Sequence, residues 1–421
     1  MTENTQTPRR RKRSRTPFGA IILLLTVALI ICIVIIIKQS GEKADATSSM
    51  TENLASGEYS EPDRSDVSFD NSIPTNDAQV PEENSKKSKV MVIATGGTIA
   101  GIAPSNTDFT LYTPGVKAIS EMLDEISSVY KLADVDSKQF ANQSSSSTTT
   151  KNLYDLSIAV DEALKTYDSV VVTCGTDIME EIAYFLDLTV QSPKPVVVTG
   201  SMKPWNVIGT DAKLNLYNAI KVAASNKTYK FGTVVVLNEE IHAAREVTKA
   251  NSVREDTFQT PMLGMLGYVD DNDVSIYRMP TRAAKSDEDW ATPFDLSEIS
   301  ASDLPRVDIV VAYQGAGGEQ ITAAVNAGAK GIVTMGTGNG GITTEMITAR
   351  NAALNKGIIV AAVTRTGSGT MYSEDRDGYG LVSADNLNAY HARIALQLCL
   401  AYSRNYNTIQ GWFDDYIRVG F

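Results

Sequence analysis

Val90-Met91-Val92-Ile93-Ala94-Thr95-Gly96-Gly97-Thr98-Ile99-Ala100-Gly101 and Val170-Val171-Val172-Thr173-Cys174-Gly175-Thr176-Asp177-Ile178-Met179-Glu180-Glu181 share one plan. In each, a short apolar run rich in β-branched residues stops at glycine and a threonine follows, as where a buried parallel strand ends in a turn. Ligands of open α/β sheets bind at the carboxyl ends of strands. Glycine there lets backbone approach a substrate closely. The second stretch adds a carboxylate, Asp177, beside its threonine. Together the two turns point to nucleophilic chemistry by a hydroxyl.

Outward from these turns, β-branched runs at 90–94, 170–173, 195–199 and 233–237 alternate with helical patterns at 152–166, 179–188 and 211–224. A stretch rich in charge, Pro and Ser at about 280–305 interrupts the alternation. A second round follows, with strands near 307–313, 331–335 and 358–363 and helices near 319–327, 343–355 and 389–403. This predicts an α/β fold of mainly parallel sheets: a larger N-terminal domain over 89–279, a linker over 280–305 and a smaller C-terminal domain over 306–421.

The chain has 421 residues, enough for two domains, and its 50 acidic against 38 basic residues argue against a nucleic-acid partner. Cys32, Cys174 and Cys399 lie far apart and imply no disulfide; the two histidines, His242 and His391, and the lack of C-x-x-C pairs imply no metal site. No cofactor is expected. Phe18 to Ile37 is a 20-residue run without charge, preceded by a basic tail over 1–17 that includes Arg9 to Arg13. It reads as a transmembrane signal anchor over 18–37, with the rest of the chain extracellular. A cleaved signal peptide would have a shorter apolar core and a small-residue cleavage site. Bulky Ile30 and Ile31 precede Cys32 where a lipoprotein would have small residues. Residues 38–88 read as a disordered acidic stalk, with 11 acidic and 2 basic residues between 41 and 85.

Thr95-Gly96-Gly97-Thr98-Ile99-Ala100 and Gly175-Thr176-Asp177 with Met179-Glu180-Glu181 resemble the two signature motifs of the bacterial asparaginase/glutaminase family, most closely its type II asparaginases. Arg245-Glu246-Val247-Thr248-Lys249 resembles the family's lysine segment and Gly336-Thr337-Gly338-Asn339-Gly340 its second-domain loop. The resemblance runs in order from about Val90 to the C-terminus. It implies hydrolysis of L-asparagine in a homotetramer; family members differ in how much glutamine they accept, and the methylene mismatch leads to an expectation of only minor glutaminase activity. It implies Thr98 as nucleophile and a Thr176–Lys249–Asp177 triad for proton transfer. Tyr112 would sit on a mobile lid against Thr98, and Ser145, within four consecutive serines, would bind the substrate α-carboxylate. Asp177 would also hold the α-ammonium. Glu374, near the position of the family's carboxylate from a neighbouring subunit, would complete the site. Ser146 departs from the family, where Gln is common.

From the residues alone, a threonine hydroxyl needs a base, and the chain has no G-x-S-x-G elbow and no histidine in a recognisable motif. A threonine after a strand is also a common helix cap. A lysine near a carboxylate, with a hydroxyl between, could relay a proton. Gly336 to Gly341 formally fits G-x-G-x-x-G, but the next strand ends Val363-Thr364-Arg365 without the acid a dinucleotide site needs. Covalent catalysis and direct attack by water both remain open. So do two other readings. A tethered amino-acid-binding protein would release no ammonia. A subunit of a tRNA-dependent amidotransferase would carry an extra domain in place of residues 1–85.

Overall fold

The computed structural model describes residues 87–271, 273–285, 292–371 and 380–418. Five parallel strands form the heart of the larger sheet: β1 (Lys89–Gly96), β2 (Asp134–Gln143), β3 (Ser169–Thr173), β4 (Val196–Thr199) and β5 (Thr233–Leu237). They run in the order β5-β4-β3-β1-β2. β6 (Glu240–Ala243), β9 (Gly267–Val269) and β10 (Val274–Ile276) extend the sheet beyond β5 as antiparallel strands. A separate antiparallel pair, β7 (Thr248–Lys249) and β8 (Phe258–Gln259), follows β6. The smaller sheet is parallel throughout, in the order β11 (Val307–Val311), β12 (Gly331–Gly336), β13 (Ile359–Thr364), β14 (Val382–Ser383).

Chemistry explains these elements. Every residue of β3, β4 and β5 is buried, which is why their valine runs carry no polar alternation. Helix α1 (Thr150–Leu164) buries Leu153, Leu156, Val160 and Leu164 at helical spacing, and Thr149 and Asn152 cap it reciprocally. Helix α2 (Met179–Thr189) is buried except at Glu181. It lies between β5 and α6 (Ala389–Tyr402) of the smaller lobe. Helix α3 (Ala212–Ser225) covers β3, β4 and β5 from the opposite face, and α4 (Glu319–Asn326) with α5 (Thr344–Leu354) packs on the smaller sheet. One hydrophobic cluster runs from Leu156 and Phe185 through Phe294 to Leu396 and Phe413, so the two lobes share a core.

Two expectations change. β2 was not foreseen: its sequence, DVDSKQFANQ, is polar and largely exposed at the sheet edge. The transmembrane helix ahead of the catalytic lobes is corrected. Among the described residues no helix is long and apolar enough to cross a membrane, and 18–37 lies outside them. Apolar length is only one condition for spanning; a continuous, fully hydrogen-bonded helix is the other. The described residues form an α/β fold of two lobes.

Candidate active site

β2, β1 and β3 are neighbours, and each ends in a one-turn 3-10 segment: Ser145–Ser147, Thr98–Ala100 and Thr176–Ile178. The turns pack together because two glycines leave no room between them. Gly97 has φ +83° and ψ −170°, a conformation for glycine alone. A Cβ there would lie 2.3 Å from Gly175 Cα and N. A Cβ on Gly175 would in turn lie 2.7 Å from Ser145 Oγ. The Gly97 N–H donates to Gln143 O at 3.0 Å, tying the first turn to the end of β2.

Two hydrogen-bonded groups occupy this floor. Thr98 Oγ1 meets Tyr112 Oη at 2.7 Å. Thr176 Oγ1 accepts from Lys249 Nζ at 2.9 Å, and the same ammonium donates to Asp177 Oδ1 at 2.8 Å. Thr98, Thr176 and Ser145 are all buried. Asp177 is two-thirds exposed, open to a charged group arriving from solvent. Thr95 plays another part: its hydroxyl donates to Thr173 O at 3.0 Å and locks β1 to β3.

Tyr112 arrives on a hairpin. Ile102 and Thr113 pair through two backbone bonds of 3.0 Å, and the Tyr112 ring lies against Gly101. Phe109 and Leu111 at the tip are exposed. Lys249 is carried by the β7–β8 pair, with the buried carboxyl of Glu180 behind it. Glu180 accepts from Lys249 N at 3.5 Å and from Asn388 Nδ2, on the smaller lobe, at 2.8 Å. Burial raises the Glu180 carboxyl above its usual range, while bonds from Thr248, Asn388 and the Lys249 backbone pull it back. Sequence reading missed this support; a second acid in Met179-Glu180-Glu181 was its one visible sign.

Of the four serines, Ser145 is the buried one facing Gly175, whereas Ser146 is exposed and shares a 3.0 Å hydrogen bond with Ser144 Oγ. Glu374 lies outside the described residues. Neither histidine bonds the site hydroxyls or Lys249, although His391 Nε2 lies 3.7 Å from the Glu180 carboxyl. His242 bonds Thr260 at 2.9 Å, and His391 meets Arg245 O at 3.0 Å. Burial, then the Arg245 charge, pushes His391 down to about 3. Burial also pushes the Cys174 thiol up, which suits packing and not attack.

Fold and site define a class: an α/β enzyme with hydroxyls, a lysine and a carboxylate gathered at adjoining strand ends. Comparison makes it particular. Residues 89–282 match the family model "Asparaginase, N-terminal" and residues 306–413 match "Glutaminase/Asparaginase C-terminal domain". The chain is 39% identical to L-asparaginase 2 of Bacillus subtilis over 78% of its length and 86% of the relative's. It is 36% identical to the probable periplasmic L-asparaginase of Haemophilus influenzae, covering 78% and 93%. The solved structure of a probable cytoplasmic L-asparaginase from Campylobacter jejuni aligns with a TM-score of 0.74 at 36% identity, over 78% of this chain and all of that one. The chain belongs to the asparaginase family.

These names also bear on placement. One relative is named periplasmic and another cytoplasmic, and no described helix can cross a membrane. The single-pass membrane placement drawn from the sequence is corrected accordingly.

Proposed function

We propose that the chain is an L-asparaginase, a hydrolase of linear amides that converts L-asparagine to L-aspartate and ammonia, with minor action on glutamine. The observation that carries the reading is the Asp177–Lys249–Thr176 hydrogen-bonded chain beside the Thr98–Tyr112 pair. Thr98 Oγ1 attacks the side-chain amide carbon while its proton leaves along the bond to Tyr112. Backbone N–H groups near Thr176 and Ser201 receive the oxyanion. The C–N bond breaks, the nitrogen takes up the proton that left Thr98 and departs as ammonia, and an acyl ester on Thr98 remains. Water gives a proton to Thr176 as Lys249 takes one from Thr176 and passes one to Asp177; the ester C–O bond breaks, and a proton returned along the same chain restores the Thr98 hydroxyl. Ser145 holds the α-carboxylate and Asp177 the α-ammonium. Ser146, turned to Ser144, does not supply the ammonium contact that a longer Gln would, which weakens binding of both amides and favours neither. Asparagine is the better substrate because a methylene mismatch is worth about 10- to 200-fold in kcat/KM. The assembly is proposed to be a homotetramer in which Glu374 of the partner subunit completes the site.

Ammonia release from both amides tests this. Thr98→Ala, Thr176→Val and Lys249→Met should each lower kcat by about a thousandfold or more with the fold retained, and the wild type should scatter light as a tetramer. Near-normal kcat in folded Thr98→Ala would remove the nucleophile assignment. Release from neither amide would leave a binding protein, and an active monomer would remove Glu374 from the site.

A further inference from the structure

The lid hairpin that brings Tyr112 to Thr98 is fastened on its far side, and the fastening converges on one side chain. Gly101 O accepts from Trp205 N at 3.0 Å and Asn106 O accepts from Ile208 N at 2.9 Å. Between these two backbone bonds, the Asn206 side chain stands in for a strand. Its Oδ1 accepts the Ala103 N–H at 2.8 Å, and its Nδ2 donates to Ala103 O at 2.8 Å. An amide side chain meeting both polar groups of one residue fixes that residue in position and in rotation, as a paired strand would. The loop behind it is firm. Trp205 is buried with its Nε1 bonded to Glu125 at 2.8 Å, and the Asp211 carboxylate accepts from Met202 N and Lys203 N, each at 2.9 Å. The same loop reaches the lid tip, where the Lys203 ammonium lies 5.8 Å from the centre of the Phe109 ring and pairs with Glu255.

We infer that Asn206 is a positioning residue for catalysis: by clamping Ala103 it sets the closed position of the lid and so the meeting of Tyr112 Oη with Thr98 Oγ1. The ascending segment of the lid, 101–106, carries both the clamped Ala103 and Ile102, whose bridge to Thr113 positions Tyr112. Loosening one side therefore frees the other. Asn206 is itself exposed, so water can take over its bonds to the buried Ala103 and the clamp adds little to the stability of the folded chain. Its effect falls on the geometry of the lid.

The inference rests on the asparaginase reading, and full-length protein tests both separately. In Asn206→Ala, loss of two hydrogen bonds should lower kcat/KM for asparagine about tenfold, with the melting temperature nearly unchanged. Asn206→Asp keeps the acceptor for Ala103 N–H but turns a carboxylate oxygen toward Ala103 O, and should lose activity in the same sense. In a Tyr112→Phe background, Asn206→Ala should add no more than about twofold, because residues acting through one contact are not additive. Hydrogen exchange at the Ala103 amide should quicken in Asn206→Ala whatever the activity. Activity within about twofold of wild type, a full tenfold loss persisting in the Tyr112→Phe background, or unchanged exchange at Ala103 would each overturn the inference. Failure of the wild type to release ammonia would overturn the enzymatic reading and leave the exchange result to judge the clamp.

Discussion

At the scale of single residues, the site depends as much on what is missing as on what is present. Thr98 and Thr176 can stand on adjoining turns because Gly97 and Gly175 have no side chains. Gly97→Ala would put a methyl group 2.3 Å from the Gly175 backbone in a conformation L residues rarely adopt. Neither side can yield, since both are main chain. A destabilisation of about 3 kcal/mol or more is expected, with activity lost even where the fold survives; chemical denaturation and ammonia release measure the two. Much of this scale was legible in the sequence. Thr98, Thr176, Asp177 and Lys249 could be named because their motifs are contiguous and sit where strands stop. The Asn206 clamp was not, because one amide meeting one backbone unit leaves no periodic trace. Glu180 was visible as a letter, but its bond to Asn388 spans 208 positions and no local pattern records it.

At the scale of elements, burial explains both what the sequence revealed and what it hid. β3, β4 and β5 are uniform valine-rich runs because both faces are covered. β2, solvated at the edge, has neither that run nor a clean alternation, so it does not stand out as a strand although it delivers Ser145 to the site. Helix α1 shows how an element can carry a penalty within a sound pattern. Asp161 faces a partly buried pocket where burial pushes its carboxyl up to about 6, the Gln191 N–H opposing and Asp295 adding to the rise. The folded pKa exceeds the unfolded value of 3.8, so the native state binds the proton more tightly. The stability this confers is complete below the unfolded pKa and is lost as pH rises through the folded one. Asp161→Asn keeps an oxygen for Gln191 N–H and removes the charge. It should be more stable than wild type at pH 8 by about 1 kcal/mol, after discounting for partial exposure, with the gap closing as pH falls toward 4. Urea denaturation at the two pH values measures it.

At the scale of the whole molecule, the two lobes are joined through the core and through the support of Lys249. Asn388 caps α6, its Oδ1 accepting from His391 N at 2.8 Å, while its Nδ2 reaches Glu180 behind Lys249. Asn388→Ser keeps a capping hydroxyl but is too short for Glu180. It should lower stability by about 1–3 kcal/mol, the penalty of a buried acceptor left unmade, and reduce kcat as Lys249 loses its backing; denaturation and steady-state kinetics read the two effects. The order of the chain gives this bond a further meaning. Ser145, Thr98, Thr176, Asp177 and Lys249 all emerge from the ribosome well before residue 388. The group that holds Glu180 comes only with residue 388. A nascent chain can therefore bring these side chains together well before residue 388 is made to hold Glu180, and the register of the site waits on that residue.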